Sequence, residues 1–238
     1  MLLNIQHISK QYSAESVLEN ISLTLNENRT LSILGKSGCG KSTLLKIISG
    51  LVLQDRGDII LKGKNINMLP ANLRHIVYMS QEALLFPHLN VFENIAFGLR
   101  IKNEKKAMIE TKVNHLITRL GLHGHHQKMP QQLSGGQQQR VNFGRSLIIN
   151  PPLLLLDEPF GNLDTQTRAE MQQLFKQVAG EFNIASIFVT HDIKEALLMG
   201  DNIGYMNNGQ LKIYETKKSF ISDSITGAQQ EISFWQTL

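Results

Sequence analysis

The chain has 238 residues, 42% hydrophobic and 18% charged, with a formal net charge of +4, which suits a soluble globular protein with a sizeable core, either one large domain or one domain with an inserted lobe. A single cysteine, Cys39, excludes an intramolecular disulfide and suits a reducing compartment. No apolar run reaches the ~18 residues that span a bilayer, and Met1 to Gln6 lacks the basic region and cleavage site of a signal peptide, so work at a membrane is expected to go through a partner. The basic excess is dispersed, apart from Lys102, Lys105, Lys106 and Lys217, Lys218. It reads as a solvated face that also tolerates a polyphosphate ligand or an acidic membrane surface.

In chain order, residues 2–8 and 17–25 are apolar and partly alternating, as in Ile21, Leu23 and Leu25, and read as strands. Leu31 to Leu34 is a buried strand ending at Gly35, and a helix is expected from about Lys41, carrying Leu44, Leu45, Ile47 and Ile48. Short strands follow at 58–62 and 75–80. Residues 104–120 put Ile109, Val113, Leu116, Ile117 and Leu120 on one helical face. Residues 137–149 form another helix, which stops before Pro151-Pro152 because a residue preceding proline disfavours the helical conformation. Leu153 to Leu156 is all apolar and suits a central parallel strand buried on both faces. A helix at 165–178 turns Met171, Leu174, Phe175 and Val178 inward. Ile184 to Val189 is a second buried strand, and Asn207-Asn208-Gly209-Gln210 signals a hairpin. The tail, about 219–238, shows no clear pattern.

Two strings carry chemistry. Gly35-Lys36-Ser37-Gly38-Cys39-Gly40-Lys41-Ser42 fits G-x-x-x-x-G-K-[ST], a phosphate-binding P-loop in the strand–loop–helix context that it needs. Gly35, Gly38 and Gly40 let backbone N–H groups turn toward phosphates, and the helix N-terminus adds a favourable dipole. Lys41 is placed for the β- and γ-phosphates and Ser42 for Mg²⁺; Cys39 fills a position that wants a small residue. Asp157 ends a buried strand, where a carboxylate is costly unless paired or near a metal, and is a second Mg²⁺ candidate. Glu158 points the other way if extended geometry persists, and is the candidate to polarise an attacking water. The other string, Leu133-Ser134-Gly135-Gly136-Gln137, caps a helix with serine beside exposed glycine amides. It is a second anion-binding helix end, far from the P-loop in sequence. The clustered His123, His125 and His126 could hold a transition metal, but neighbouring Gly121 and Gly124 favour a solvated loop.

With P-loop, Asp157-Glu158-Pro159 and Leu133 to Gln137 together, nearly the whole chain resembles the ATP-binding cassette (ABC) family of transporter ATPases. The resemblance implies a P-loop NTPase (RecA-like) α/β core at 1–85 and 151–218, with an N-terminal antiparallel β-subdomain, an inserted α-helical subdomain at 86–150 and a tail at 219–238. It implies ATP and Mg²⁺ as ligands. Residues 35–43, Gly35 to Thr43, are expected to hold nucleotide. Ser134, Gly135, Gly136 and Gln137 are expected to meet the γ-phosphate bound by the other subunit of a head-to-tail homodimer. Tyr12 resembles the aromatic that stacks on adenine. Gln81 resembles the Q-loop glutamine that senses Mg²⁺ and γ-phosphate, and His191 in Thr190-His191-Asp192 the switch histidine. Asp164 resembles the D-loop aspartate at the dimer interface, although Gly161-Asn162 replaces the family's usual Ser-Ala.

Phe86-Pro87-His88, with Val91, Asn94-Ile95 and Phe97, resembles the stretch of importer ATPases for polyamines, sulfate, ferric iron and sugars that lies against a permease's coupling helix. The implied function is the ATP-hydrolysing subunit of a bacterial-type importer. It would sit at the cytoplasmic face of the membrane, with permease subunits as direct partners and a solute-binding protein as an indirect one. Many members carry an extra C-terminal β-domain for which a chain stopping at Leu238 has no room, so regulation through one is not expected. An exporter subunit is disfavoured by 86–97. A DNA- or ribosome-directed relative is disfavoured by the lack of a coiled-coil insertion or second cassette, so no nucleic-acid partner is expected. A P-loop kinase leaves Leu133 to Gln137 unexplained.

Overall fold

The structure, a computed structural model, describes residues 1–13 and 15–236. Its first sheet is antiparallel. Strands β1 (Leu3–Tyr12) and β2 (Glu15–Leu25) pair as a hairpin, and β1 also pairs with β4 (Arg56–Leu61), which pairs with β5 (Lys64–Asn65). Between them the chain leaves for β3 (Thr30–Gly35) and helix α1 (Lys41–Ser49).

β3 belongs to a second sheet with β6 (Ile76–Met79), β7 (Leu153–Asp157), β8 (Ala185–Thr190), β9 (Asn202–Asn207) and β10 (Gln210–Tyr214). Its order is β10-β9-β3-β8-β7-β6, parallel except for the β10 edge. The expected hairpin is the β9–β10 turn, where Asn208 (φ 45°) and Gly209 (φ 73°) both take the left-handed conformation of a tight two-residue loop. Along the other strands, β1 runs four residues past its expected end and β2 starts two earlier.

β7 explains why an all-leucine run works as a strand. Leu153 and Leu155 face a core formed with β1, β2, β3 and α1, while Leu154 and Leu156 face a second core. All four are fully buried, and each contributes about 1.5–3 kcal/mol of transfer free energy. The second core is shared by α2 (Val91–Ile101), α3 (Lys106–Arg119), α4 (Gly135–Leu147) and α5 (Thr165–Glu181).

The expected helices at 104–120, 137–149 and 165–178 correspond to α3, α4 and α5, with ends displaced by up to three residues. Helix α6 (Ile193–Met199) follows β8. The tail is a correction. It folds as α7 (Lys217–Ser222), a 3₁₀ turn at Ser224–Thr226 and α8 (Ala228–Gln236). Phe220 and Ala228 join a third apolar cluster with Leu34, Ile193 and Tyr214. Its helices are short and its inward residues too few for a readable period.

Candidate nucleotide-binding site

The C-terminal ends of four parallel strands deliver the site, the usual location for ligands on such sheets. β3 runs into Gly35, β6 into Gln81, β7 into Asp157 and Glu158, and β8 into His191. They surround a cavity of 520 Å³ lined by Gly35, Lys36, Ser37, Gln81, Glu158 and His191, closed by Leu34, Ile193, Tyr205 and Thr226.

The P-loop is built for close approach. Gly38 has φ 81° with nothing within 4 Å of a would-be Cβ, and Gly40 has φ 106°. A Cβ at Gly35 would lie 2.4 Å from the Met206 carbonyl oxygen and 2.7 Å from Cys39 Sγ. Cys39 is therefore packing against the loop; burial pushes its thiol pKa up, with the Lys41 charge opposing, the opposite of an activated thiolate. Helix α1 starts at Gly40 without a side-chain cap, which leaves its first amides unclaimed by the protein's own side chains. Lys41 is buried. Its Nζ donates to the carbonyl oxygens of Gly35 (2.7 Å) and Lys36 (3.0 Å), and lies 3.7 Å from Glu158 Oε1.

Asp157 Oδ1 accepts from Ser42 Oγ at 2.9 Å and Oδ2 accepts from Tyr78 OH at 2.7 Å. Burial, reinforced by that carboxylate, raises the Tyr78 pKa, so the phenol keeps its proton and donates. Ser42 and Asp157 thus converge with hard oxygen donors of the kind Mg²⁺ takes.

Glu158 corrects one expectation. Extended geometry does not persist past Asp157: Glu158 has φ 46°, a conformation that costs a non-glycine residue about 1–3 kcal/mol and recurs at functional sites. Its N–H donates to Val189 O at 3.1 Å, and its Oε2 lies 2.9 Å from His191 Nδ1. Glu158 therefore sits between Lys41 and an exposed His191.

Of the remaining candidates, only Gln81 lines the cavity. Gln81 Nε2 is turned toward Asn162 Oδ1 at 3.4 Å, so the Gly161-Asn162 variation touches the glutamine directly. Tyr12, at the end of β1, is exposed with Lys10 Nζ 5.3 Å from its ring centre, and is not among the residues lining the cavity. Ser134 caps α4. Its Oγ accepts from Gln137 N at 3.3 Å while Gln137 Oε1 accepts from Ser134 N at 3.0 Å, a reciprocal capping box. Neither this segment nor Asp164, whose Oδ1 caps α5 from Thr167 N at 3.0 Å, lines the cavity. The Thr167 hydrogen bonds lower the Asp164 pKa. In the 86–97 stretch Val91 is in the core and Phe92 packs on it. Phe86 stacks at 4.4 Å on Phe97 and under Arg145, and the exposed apolar residue beside it is Leu84. His125 Nε2 lies 3.4 Å from Gln137 Nε2, and among the described residues no three His, Cys, Asp or Glu are grouped to hold a metal. Sequence reasoning missed Tyr78 and Thr226. Their roles depend on strand order and on the tail's return, which no local pattern signals.

The ABC transporter family model matches residues 18–161. The chain belongs to the ABC transporter family. This ABC protein is 42% identical over 232 residues to the spermidine/putrescine import ATP-binding protein PotA of Clostridioides difficile, covering 94% of this chain and 67% of the relative. It is 44% identical to the PotA of Spiroplasma citri, covering 89% and 60%. The chain thus spans about two thirds or less of these curated relatives. The dimeric ATP-binding cassette MJ0796, in a post-hydrolysis state bound to ADP and Pi, superposes with a TM-score of 0.79 at 31% identity, covering 89% of this chain and 97% of that one. The fold is therefore that of an ABC ATPase, an α/β P-loop NTPase. No described helix is long and apolar enough to cross a membrane.

Proposed function

We propose that this chain is the ATP-binding and ATP-hydrolysing subunit of an ABC importer, seated on membrane permease subunits. One observation carries the enzymatic part: Glu158 is poised at the P-loop cavity, between Lys41 and His191. The P-loop amides and Lys41 take the β- and γ-phosphates, and Lys41 leaves its carbonyl partners to do so. Ser42 and Asp157 would hold Mg²⁺, which neutralises phosphate charge when bound. Tyr78 holds the Asp157 carboxylate in place. Glu158 orients the attacking water and accepts its proton, and His191 fixes the Glu158 carboxylate and meets the γ-phosphate. Gln81 senses that phosphate from its place over the 158–162 turn. Tyr12 offers an open ring face to adenine.

Ser134, Gly135, Gly136 and Gln137, with Asp164, complete the site of a second copy in a head-to-tail homodimer. The reading is supported by their place outside the lining of the chain's own cavity and by the dimeric state named for MJ0796. Segments 1–85 and 151–218 form the nucleotide-binding core and 86–150 the helical subdomain. ATP closes the dimer, hydrolysis reopens it, and the permease converts the cycle into uptake at the cytoplasmic face of the membrane. The relatives' shared name supports polyamines as the first solute to test. The deciding measurement is ATP hydrolysis by the chain assembled with its permease, with and without solute-loaded binding protein. Absence of ATP turnover in that assembly sinks the enzymatic reading, and turnover without any effect of solute sinks the importer reading.

A further inference from the structure

One buried carboxylate has no part in the chemistry above. Glu195, in the first turn of α6, is 6% exposed and forms no ion pair among the described residues. Both its oxygens are taken by neutral donors from different elements. Thr190 Oγ1, at the end of β8, donates to Oε2 at 2.7 Å, and Gln172 Nε2, on α5, donates to Oε1 at 2.9 Å. The turn between them closes on itself. Asp192 N donates to Thr190 Oγ1 and Glu195 N donates to Asp192 Oδ1, each at 3.0 Å. Residue 191 lies inside this ring.

The His191 side chain is 62% exposed, and its one polar side-chain partner among the described residues is Glu158. Its position is therefore set by the backbone turn that carries it. The same α5 that supplies Gln172 is capped by Asp164, and its Arg168 donates to Leu163 O at 3.2 Å in the loop just before it. Burial raises the Glu195 pKa, and the Thr190 and Gln172 hydrogen bonds oppose that rise. An apolar side chain would fill this space at less cost than a carboxylate held by neutral donors. What the carboxylate adds is a two-armed tie between α5 and the β8–α6 turn.

We propose that Glu195 is a positioning residue that fixes the Thr190–Asp192 turn and ties it to α5, so that loop 161–164 and His191 move as one unit. The proposal rests on the ATPase reading above.

Three substitutions test it in the full chain. Glu195→Ala removes both arms and lowers kcat about 10- to 100-fold, while KM for ATP and the ATP-induced rise in melting temperature stay near wild type. Glu195→Gln keeps both hydrogen bonds once the Gln172 amide turns over, and restores most of the rate. Gln172→Leu cuts only the α5 arm. It slows wild-type turnover but takes nothing more from a His191→Ala background, since both losses run through one residue. In the nucleotide-free protein, Gln172→Leu also speeds amide hydrogen exchange at 190–195 and 161–164 together.

Glu195→Ala folded and turning over at the wild-type rate overturns the tie. So does Glu195→Gln as damaging as alanine, or losses from Gln172→Leu and His191→Ala that multiply. If Glu195→Ala does not fold, Gln172→Leu and the exchange measurement decide. If wild type itself hydrolyses no ATP, the ATPase reading has failed, and exchange in the nucleotide-free protein still reads the tie.

Discussion

Helices α1 and α4 both begin at glycine-rich turns, yet their first residues are treated differently. α1 starts at left-handed Gly40 with no side-chain cap, and its loop encloses a cavity with a buried lysine and a carboxylate already in place. α4 starts at Ser134, closes its own capping box and faces outward, with no atom within 4 Å of a would-be Gly135 Cβ. The first is a finished anion seat. In the proposed dimer the second is half of one, with its geometry held ready by Gln137. In the proposed homodimer, the nucleotide held by a second copy is what it binds.

The largest expected effect falls on the finished seat. Glu158→Gln keeps the side chain's shape and its hydrogen bonding to His191 but removes the proton acceptor, so hydrolysis falls by about 10²–10⁴-fold while ATP still binds. The closed dimer then persists with Mg-ATP, which size-exclusion chromatography reads directly. A variant that turns over at the wild-type rate removes Glu158 from its role.

Next comes the unfinished seat. Ser134→Arg replaces a cap that costs about 1 kcal/mol to lose, so the fold survives. A bulky cation at the γ-phosphate approach lowers turnover by about 10²-fold, while ATP binding at the P-loop stays normal. Mixed with Lys41→Ala subunits it gives heterodimers with one doubly damaged site and one intact site, and part of the activity returns. If Ser134→Arg alone hydrolyses ATP normally, the two seats are not shared between copies.

The far end of α4 distinguishes the two helices again. Arg145 donates to Leu84 O and covers Phe86, beside a cavity of 310 Å³ lined by Leu84, Phe97 and Ile149. Leu84 is 64% exposed there, as an anchor for a partner would be. Leu84→Ala is expected to cost about 1–2 kcal/mol at the permease interface and to lower transport, while ATPase of the free subunit is unchanged. Co-purification and transport assays check this, and normal values in both detach this groove from coupling.

How much of this could be read from the sequence follows the same division. The P-loop, Asp157-Glu158 and the capped α4 are contiguous strings whose chemistry is local, so they were legible. The leucine run gave β7 correctly because a strand buried on both faces needs no alternation. Relations between distant segments were not legible. Tyr78 reaches Asp157 only because β6 and β7 are neighbours. Glu158 N–H still closes the last rung of the β7–β8 ladder on Val189 O, yet its φ of 46° ends the strand there, a turn that no local pattern signals. The apolar patch at 86–97 turned out partly core, because helix α2 packs Val91 inward and Phe92 against it, while the exposed leucine, Leu84, lies just before the patch. The tail had no period because its contacts are made one residue at a time.

That tail supplies the smallest effect and touches only the first seat, since Thr226 walls the P-loop cavity. Asp223 clasps it. Its Oδ2 accepts from Lys212 Nζ at 2.7 Å and from Tyr214 OH at 2.8 Å, and its Oδ1 accepts from Ile225 N at 3.1 Å. The Lys212 hydrogen bond, with those from Ile225 and Tyr214, holds the Asp223 pKa down at about 2, against about 3.9 for a free aspartate. A depressed folded-state pKa means the clasp stabilises above the unfolded value and is lost as pH falls through the folded one. Its full contribution is therefore present at neutral pH, shrinks from about pH 4 downward and is gone below about 2. Asp223→Asn should lower the melting temperature at neutral pH by less than any core substitution, and loosen Thr226 enough to weaken ATP binding slightly. Melting curves of variant and wild type, followed from neutral pH downward, should converge as the acid limit is approached. A gap that stays constant across that range would assign the loss to packing rather than to the charged clasp.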